Sequence, residues 1–298
     1  MFKPHGVIPA LVTPLDRNGN LMENALKQVI DYTIAGGVHG LFILGSSGEI
    51  YGLTNEQKRR VVEVTVEHTA GRVPVYCGAS EITTRDCIQT AKMVSEVGGV
   101  SALSVLTPYF MSPTQSELIE HFTAIANSTE LPIILYGNEA RTQVKIEVNS
   151  CKELSKVDNI IGIKDSSGDM TRMAEYLRVT DRESFTVLAG RDTLIYAGLC
   201  HGGSGAIAST GNIAPKLVSE IYNTFVAGDY QKSLELQFKL APLRLAVDKA
   251  TFPVVLKEGL RMVGIDVGYA FGPAAEMTSE SKKVLEDVLK DLGLYQIY

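Results

Sequence analysis

The sequence predicts a (β/α)₈ barrel followed by a helical extension. Eight short apolar runs, rich in β-branched residues, alternate with longer segments of helical period, which is the pattern of a parallel sheet with crossover helices. The alternation stops near residue 209, and only helical periods follow. The length of 298 residues accommodates such a barrel, which takes about 250 residues, with an appended segment.

The predicted strands are bounded by turn residues. They lie at residues 7–13, 40–44, 73–78, 102–106, 132–136, 160–165, 185–190 and 205–209. The helical segments between them lie at residues 23–35, 55–69, 84–97, 115–127, 146–155, 170–179 and 193–200. An open doubly wound sheet is the alternative, but no G-x-G-x-x-G turn follows the first run.

Four further helices are predicted after the last strand, at residues 215–227, 230–247, 252–263 and 279–292. Pro253 suits the first turn of the third of them, where a missing N–H is tolerated. We therefore expect a barrel over residues 1–215 and a C-terminal helical extension over residues 216–298.

Composition narrows the class of function. The formal net charge of −6, with dispersed Lys and Arg, argues against nucleic-acid binding and favours a small-molecule ligand. The four cysteines are far apart, which predicts buried free thiols, and the five histidines show no paired spacing, so we expect no metal and no cofactor. Neither a signal peptide nor a membrane span is evident, so we expect a cytoplasmic protein.

The sixth predicted strand carries a lysine, Lys164, near its downstream end. A strand of a parallel sheet is buried on both faces, so an ammonium there would be poorly solvated and a neutral amine favoured. A neutral amine attacks a carbonyl carbon to form a Schiff base. The alternative is a lysine whose long stem carries its charge to water.

Other polar residues follow the carboxyl ends of predicted strands, the face where barrels carry their active sites. Each also has an ordinary structural interpretation, such as a helix cap or a half-buried aromatic residue. Tyr136, one strand away and about 4.8 Å across the sheet, could exchange a proton with a lysine adduct. The remaining candidates are Ser46, Ser47, Arg141, Gly190, Asp192, Ile207 and Ser209.

These motifs, in this order, resemble the dihydrodipicolinate synthase and N-acetylneuraminate lyase family. The resemblance covers essentially the whole chain and is carried by three segments: residues 45–49 (GSSGE), Tyr136, and residues 162–165 (GIKD). It implies a metal-independent Schiff-base lyase and a homotetramer or dimer. In that scheme Lys164 bonds the keto carbon of pyruvate, Ser46 and Ser47 hold its carboxylate, and Tyr136 moves the proton.

Some residues depart from the synthases of that family. Phe110 stands where a relay tyrosine is usual, and Ser46 where its threonine partner is usual. Arg141, in contrast, matches the arginine that binds the semialdehyde carboxylate. Gly190, Asp192 and Ser209 match positions facing the hydroxylated tail in sugar-acid lyases.

Several functions remain open from sequence. The first is an aldolase that cleaves or makes a 2-keto-3-deoxy sugar acid or a 4-hydroxy-2-oxo acid, releasing pyruvate and an aldehyde. The second is dihydrodipicolinate synthase, which condenses pyruvate with aspartate semialdehyde. A keto-deoxy sugar-acid dehydratase and a non-catalytic pyruvate-binding protein are further alternatives.

Overall fold

The computed structural model describes residues 2–296, and within them eight parallel strands form one sheet. The strands are β1 (Gly6–Pro9), β2 (Leu41–Ile43), β3 (Val75–Gly78), β4 (Ala102–Leu106), β5 (Ile133–Gly137), β6 (Ile160–Asp165), β7 (Thr186–Ala189) and β8 (Gly205–Ala208). The order β1-β8-β7-β6-β5-β4-β3-β2, with a bridge between Ala10 and Phe42, closes the sheet into a barrel. The predicted fold is therefore confirmed.

Helices lie outside the barrel; of those within residues 2–296, the first eight connect successive strands and the last four follow β8. They are α1 (Glu23–Ala35), α2 (Asn55–Thr69), α3 (Thr84–Val97), α4 (Gln115–Ala126), α5 (Glu139–Thr142), α6 (Val148–Leu154), α7 (Met170–Val179), α8 (Ile195–Cys200), α9 (Pro215–Val226), α10 (Tyr230–Ala246), α11 (Val254–Met262) and α12 (Ser279–Asp291). Capping boxes at Thr54 and Thr114 fix the starts of α2 and α4, because each threonine and the side chain three residues later satisfy free N–H groups at both ends of the box.

The barrel interior is filled by one apolar side chain from each strand. These residues are Ile8, Phe42, Tyr76, Ala102, Ile134, Ile161, Leu188 and Ile207, all almost fully buried. Alternate residues face outward and pack with the helices in the larger core. The interior is therefore packed with side chains, and a ligand of the barrel would bind above it, at the carboxyl ends of the strands.

The segment after β8 begins with α9, which packs against β1, α1 and α8. Helix α10 packs on α9, and α12 packs on α10 and α11. Because α9 completes the outer ring of helices, we propose that the extension begins after α9 and not at residue 216. Pro253, predicted inside a helix, instead precedes α11 as its capping residue.

The cysteines are free thiols, but they are not all buried. Cys77, Cys87 and Cys151 are buried as expected, whereas Cys200 at the end of α8 is exposed. Among residues 2–296, no helix has the length and apolar character needed to span a bilayer.

Candidate active site

Lys164 and Tyr136 face each other across neighbouring strands. The register of β5 and β6 pairs the two residues directly. The Lys164 Nζ atom lies 3.9 Å from the centroid of the Tyr136 ring and 5.1 Å from that of Phe42. Only 5% of Lys164 is exposed. The amine is thus held against aromatic faces at the top of the packed barrel floor.

The hydroxyl of Tyr136 is surrounded by polar partners. Burial by itself raises the Tyr136 pKa, but the nearby Lys164 ammonium and hydrogen bonds from Asn138, Ser46 and Lys164 outweigh it and lower the pKa to about 8. The Asn138 Nδ2 atom donates to the Tyr136 Oη atom at 3.1 Å. A phenol with this pKa can both give and take a proton near neutral pH.

The loop after β2 carries Ser46 and Ser47. It ends at Glu49, whose φ of 54° lies in the left-handed region. The Glu49 carboxylate is fully buried, 2.6 Å from the Lys257 Nζ atom of α11, and it accepts a hydrogen bond from the Phe271 N–H at 2.8 Å. The serine loop is therefore anchored to the C-terminal extension by a buried ion pair.

All nine candidate residues line one cavity of about 270 Å³ at the carboxyl ends of the strands. They are Ser46, Ser47, Tyr136, Arg141, Lys164, Gly190, Asp192, Ile207 and Ser209. Gly190 allows the backbone to approach closely here, because a methyl group at this position would lie 2.0 Å from the Ser166 Oγ atom. The structure thus brings together residues that are far apart in sequence.

Asp192 is held by the turn that follows β8. Its Oδ2 atom accepts hydrogen bonds from the Thr210 N–H at 2.7 Å, from the Thr210 hydroxyl at 2.5 Å, and from the Ser209 hydroxyl at 3.4 Å. Only 2% of Asp192 is exposed. This carboxylate oxygen therefore orders the rim of the cavity, which reduces its capacity to accept hydrogen bonds from a ligand.

Arginines surround the mouth of the cavity. The Arg141 guanidinium stacks on the Phe252 ring, with its Cζ atom 4.5 Å from the centroid. Arg244 on α10 is ion-paired with Asp248 at 3.0 Å. Arg191, which follows β7, also lines the cavity. The floor of the cavity thus carries an amine and a phenol, whereas the mouth carries guanidinium groups.

Comparison with known proteins agrees with this geometry. Residues 3–292 match the dihydrodipicolinate synthetase family. The chain is 37% identical, over 99% of its length and 100% of the relative, to the 4-hydroxy-tetrahydrodipicolinate synthase of Methanocaldococcus jannaschii. The chain belongs to the dihydrodipicolinate synthetase family. It is accordingly a carbon–carbon lyase of the class I aldolase type.

Solved structures of family members superpose closely. The dihydrodipicolinate synthase of Aquifex aeolicus is 31% identical with a TM-score of 0.95, covering 99% of this chain and 100% of that one. YagE, a prophage protein of Escherichia coli K12 from the same family, was solved in complex with pyruvate; it is 29% identical with a TM-score of 0.93, covering 97% and 99% of the two chains.

Phe110, which the resemblance assigns to the relay position, does not line this cavity in a single copy of the chain. It has a φ of 72° and is 97% exposed. It lies outside the cavity lining, and it has no hydroxyl to pass a proton. The Tyr136 hydroxyl instead accepts a hydrogen bond from the Asn138 side chain of the same chain.

Six further residues of the cavity lining were not selected as site residues from the sequence. They are Asn138, Ser166, Arg191, Arg244, Asp248 and Phe252. Asn138 and Ser166 directly follow strands and Arg191 lies two residues after one, so the strand-end rule covers these three. Arg244, Asp248 and Phe252 belong to the C-terminal extension, and only tertiary packing places them over the barrel mouth.

Proposed function

We propose that the chain is a pyruvate-dependent aldolase whose nucleophile is Lys164. The observation that carries the proposal is the position of the Lys164 Nζ atom, buried at the cavity floor and 3.9 Å from the Tyr136 ring centroid. A family member of known structure, YagE, binds pyruvate, which supports this choice of keto acid.

In the proposed reaction, the Lys164 amine attacks the keto carbon of pyruvate to give a carbinolamine. Loss of water gives an iminium ion, which draws electrons from the neighbouring methyl carbon and allows that carbon to lose a proton. The resulting enamine attacks the aldehyde carbon, whose oxygen takes up a proton to become a hydroxyl. Hydrolysis then releases the product and the free lysine.

Two further groups have roles in this scheme. Tyr136 transfers the protons, which its pKa of about 8 supports. Ser46 and Ser47 bind the pyruvate carboxylate, for which their hydroxyls and the backbone N–H groups of a tight loop are suitable donors. The anchored loop keeps these donors in place without the substrate having to order them.

For the second substrate, we propose an aldehyde that yields a 4-hydroxy-2-oxo acid or a 2-keto-3-deoxy acid. The side-chain environment supports this, since Phe110 replaces the relay tyrosine and Asn138 contacts Tyr136. The second candidate is 4-hydroxy-tetrahydrodipicolinate synthase, supported by the names of relatives 34–37% identical and by Arg141 at the cavity mouth.

Borohydride trapping tests the nucleophile. With pyruvate present, mass mapping should find a reduced pyruvyl adduct on Lys164 and none in Lys164→Ala. Lys145→Ala, which changes a partly exposed lysine outside the cavity, is the matched control and should retain the adduct. An unmodified Lys164 in the wild-type protein would rule out the proposed chemistry.

Product analysis separates the two candidates. Wild-type protein is incubated with pyruvate and either aspartate semialdehyde or a panel of hydroxylated and acidic aldehydes. Turnover restricted to aspartate semialdehyde would favour the synthase. Turnover with the other aldehydes would favour the aldolase. The cytoplasmic location and the homotetramer or dimer remain predictions, and size-exclusion chromatography with light scattering measures the oligomer.

A further inference from the structure

We propose that Arg191 and Arg244 form an anion-binding subsite at the cavity mouth, and that the aldehyde substrate carries a carboxylate. The identity of the ligand as an aldehyde rests on the proposed imine chemistry at Lys164. The subsite itself is argued from charge, burial and hydrogen-bond partners. Arg141 matches the family arginine for a carboxylate, whereas Arg191 and Arg244 were not expected.

The charge of the cavity lining is opposite to that of the chain. Within residues 2–296, four basic and two acidic side chains line the cavity, although the whole chain has a formal net charge of −6. The basic residues are Arg141, Lys164, Arg191 and Arg244, and the acidic residues are Asp192 and Asp248. A concave site with an excess of one charge concentrates ligands of the opposite charge.

The two acidic side chains do not neutralise all of this excess. Asp192 accepts hydrogen bonds from Ser209 and Thr210 at its Oδ2 atom, and Asp248 pairs with Arg244. Arg191 is exposed at the cavity wall and has no carboxylate within 4.0 Å in the part of the chain that the structure describes. Its side chain passes beside Gly168, where an added methyl group would contact the Nε atom at 3.5 Å. An unpaired guanidinium in a cavity wall is suited to bind an anion.

Arg244 is held in place before any ligand binds. Its side chain is only 11% exposed, and Asp248, one helical turn later, is 64% exposed and fixes the guanidinium at 3.0 Å. That contact uses the Nη1 atom. A guanidinium has five N–H donors, so others remain at the cavity wall. A side chain already ordered loses little entropy when it binds a carboxylate.

The lining offers more hydrogen-bond donors to an acidic tail than side-chain acceptors to a polyhydroxyl tail. Of its four carboxylate oxygens, the Asp192 Oδ2 atom is occupied by Thr210 and Ser209, and the Asp248 Oδ1 atom by Arg244. Arginines supply only donors. With Ser46 and Ser47 binding the pyruvate carboxylate in the proposed function, the arginines at the mouth are left for a second one.

Matched aldehydes test the preference. Pyruvate is combined with glyoxylate or glycolaldehyde, and with succinic semialdehyde or butanal, so that each pair differs mainly in the carboxylate. We expect wild-type kcat/KM to be about 10- to 100-fold higher for the acidic member, in line with one or two hydrogen bonds to a charged group. Arg191→Gln and Arg244→Gln should each reduce that preference while keeping the pyruvate adduct at Lys164.

The control is Arg178→Gln. Arg178 forms an exposed ion pair with Glu175 on α7, at 2.7 Å and outside the cavity, and its loss should leave the preference unchanged. Retention of the trapped adduct in Arg191→Gln and Arg244→Gln shows that the variants are folded. Equal or higher wild-type efficiency with the neutral aldehydes would overturn the proposal, as would an unchanged preference in both variants.

A calorimetric titration with glutarate, a dicarboxylate that cannot form an imine, measures anion binding at the subsite without any chemistry at Lys164. We expect glutarate to bind about 10- to 100-fold more weakly to Arg191→Gln and Arg244→Gln than to the wild-type protein. Equal affinities would refute the subsite even if the imine forms. Weaker binding in the variants, combined with no adduct on Lys164, would support the subsite and refute the proposed function.

Discussion

Removing Lys257 should destabilise the protein and loosen the serine loop. Lys257→Met keeps the length of the side chain but leaves the Glu49 carboxylate without its cation. The two side chains are 3% and 0% exposed, and their charged atoms are 2.6 Å apart. Burial lowers the Lys257 pKa, while Glu49 opposes that shift, so each charge depends on the other to remain buried.

The expected loss in free energy of unfolding is about 3–5 kcal/mol, the range for breaking a buried ion pair on one side. Urea denaturation measures it. Lys283→Met is the control, because Lys283 is 59% exposed and pairs with Asp287 at 2.7 Å. Removing an exposed pair of this kind should leave the free energy of unfolding almost unchanged.

The double variant Glu49→Gln with Lys257→Met separates lost packing from an unpaired charge. It should recover part of the stability, because the carboxylate no longer lies buried without a partner. The KM for pyruvate should rise in Lys257→Met, since Ser46 and Ser47 lie on the loop that Glu49 anchors. A stability loss equal to that of Lys283→Met, with no change in KM, would refute this reasoning.

Other predictions concern the reactive groups. Tyr136→Phe should keep the pyruvate adduct and lower turnover by about 10²- to 10⁴-fold, and wild-type turnover in this variant would exclude Tyr136 as the proton carrier. The Tyr136 pKa of about 8 implies that phenolate accumulates as pH rises through 8, so an absorbance titration should show a step that Tyr136→Phe lacks. In Lys164→Met this step should move to higher pH, because burial is no longer opposed by the ammonium; an unmoved step would contradict the stated cause. Native thiol labelling should modify Cys200 first, and equal labelling of Cys77 would contradict its burial.

The strand positions could be predicted because each strand is a short apolar run with its own turn signals. Lys164 and Tyr136 followed from the barrel rule that strand ends meet on one face. Helix α5 was missed because four residues are too few to show a helical period. Its place directly after β5 nevertheless carries Arg141 to the mouth of the cavity.

The residues of the C-terminal extension could not be predicted as site residues. From sequence alone, Arg244 and Asp248 are indistinguishable from an ordinary i, i+4 ion pair on a helix surface. Phe252 is likewise indistinguishable from a core residue. Their part in the cavity depends on how α10 packs over the barrel, which is a tertiary property with no local sequence signal. The prediction of buried cysteines was wrong for Cys200 for a similar reason, since burial of a helix end depends on what packs over it.

The packed floor of the barrel has a consequence for the order of events. Ile207 and its neighbours fill the barrel interior beneath Lys164 in the part of the chain that the structure describes, so a ligand would approach the lysine from the carboxyl ends of the strands. In the proposed reaction, pyruvate would then have to enter, and the water lost on imine formation to leave, before an anion occupies the arginines at the cavity mouth. An acidic aldehyde that binds there first would block the access of pyruvate to Lys164. Excess aldehyde should therefore inhibit competitively with respect to pyruvate.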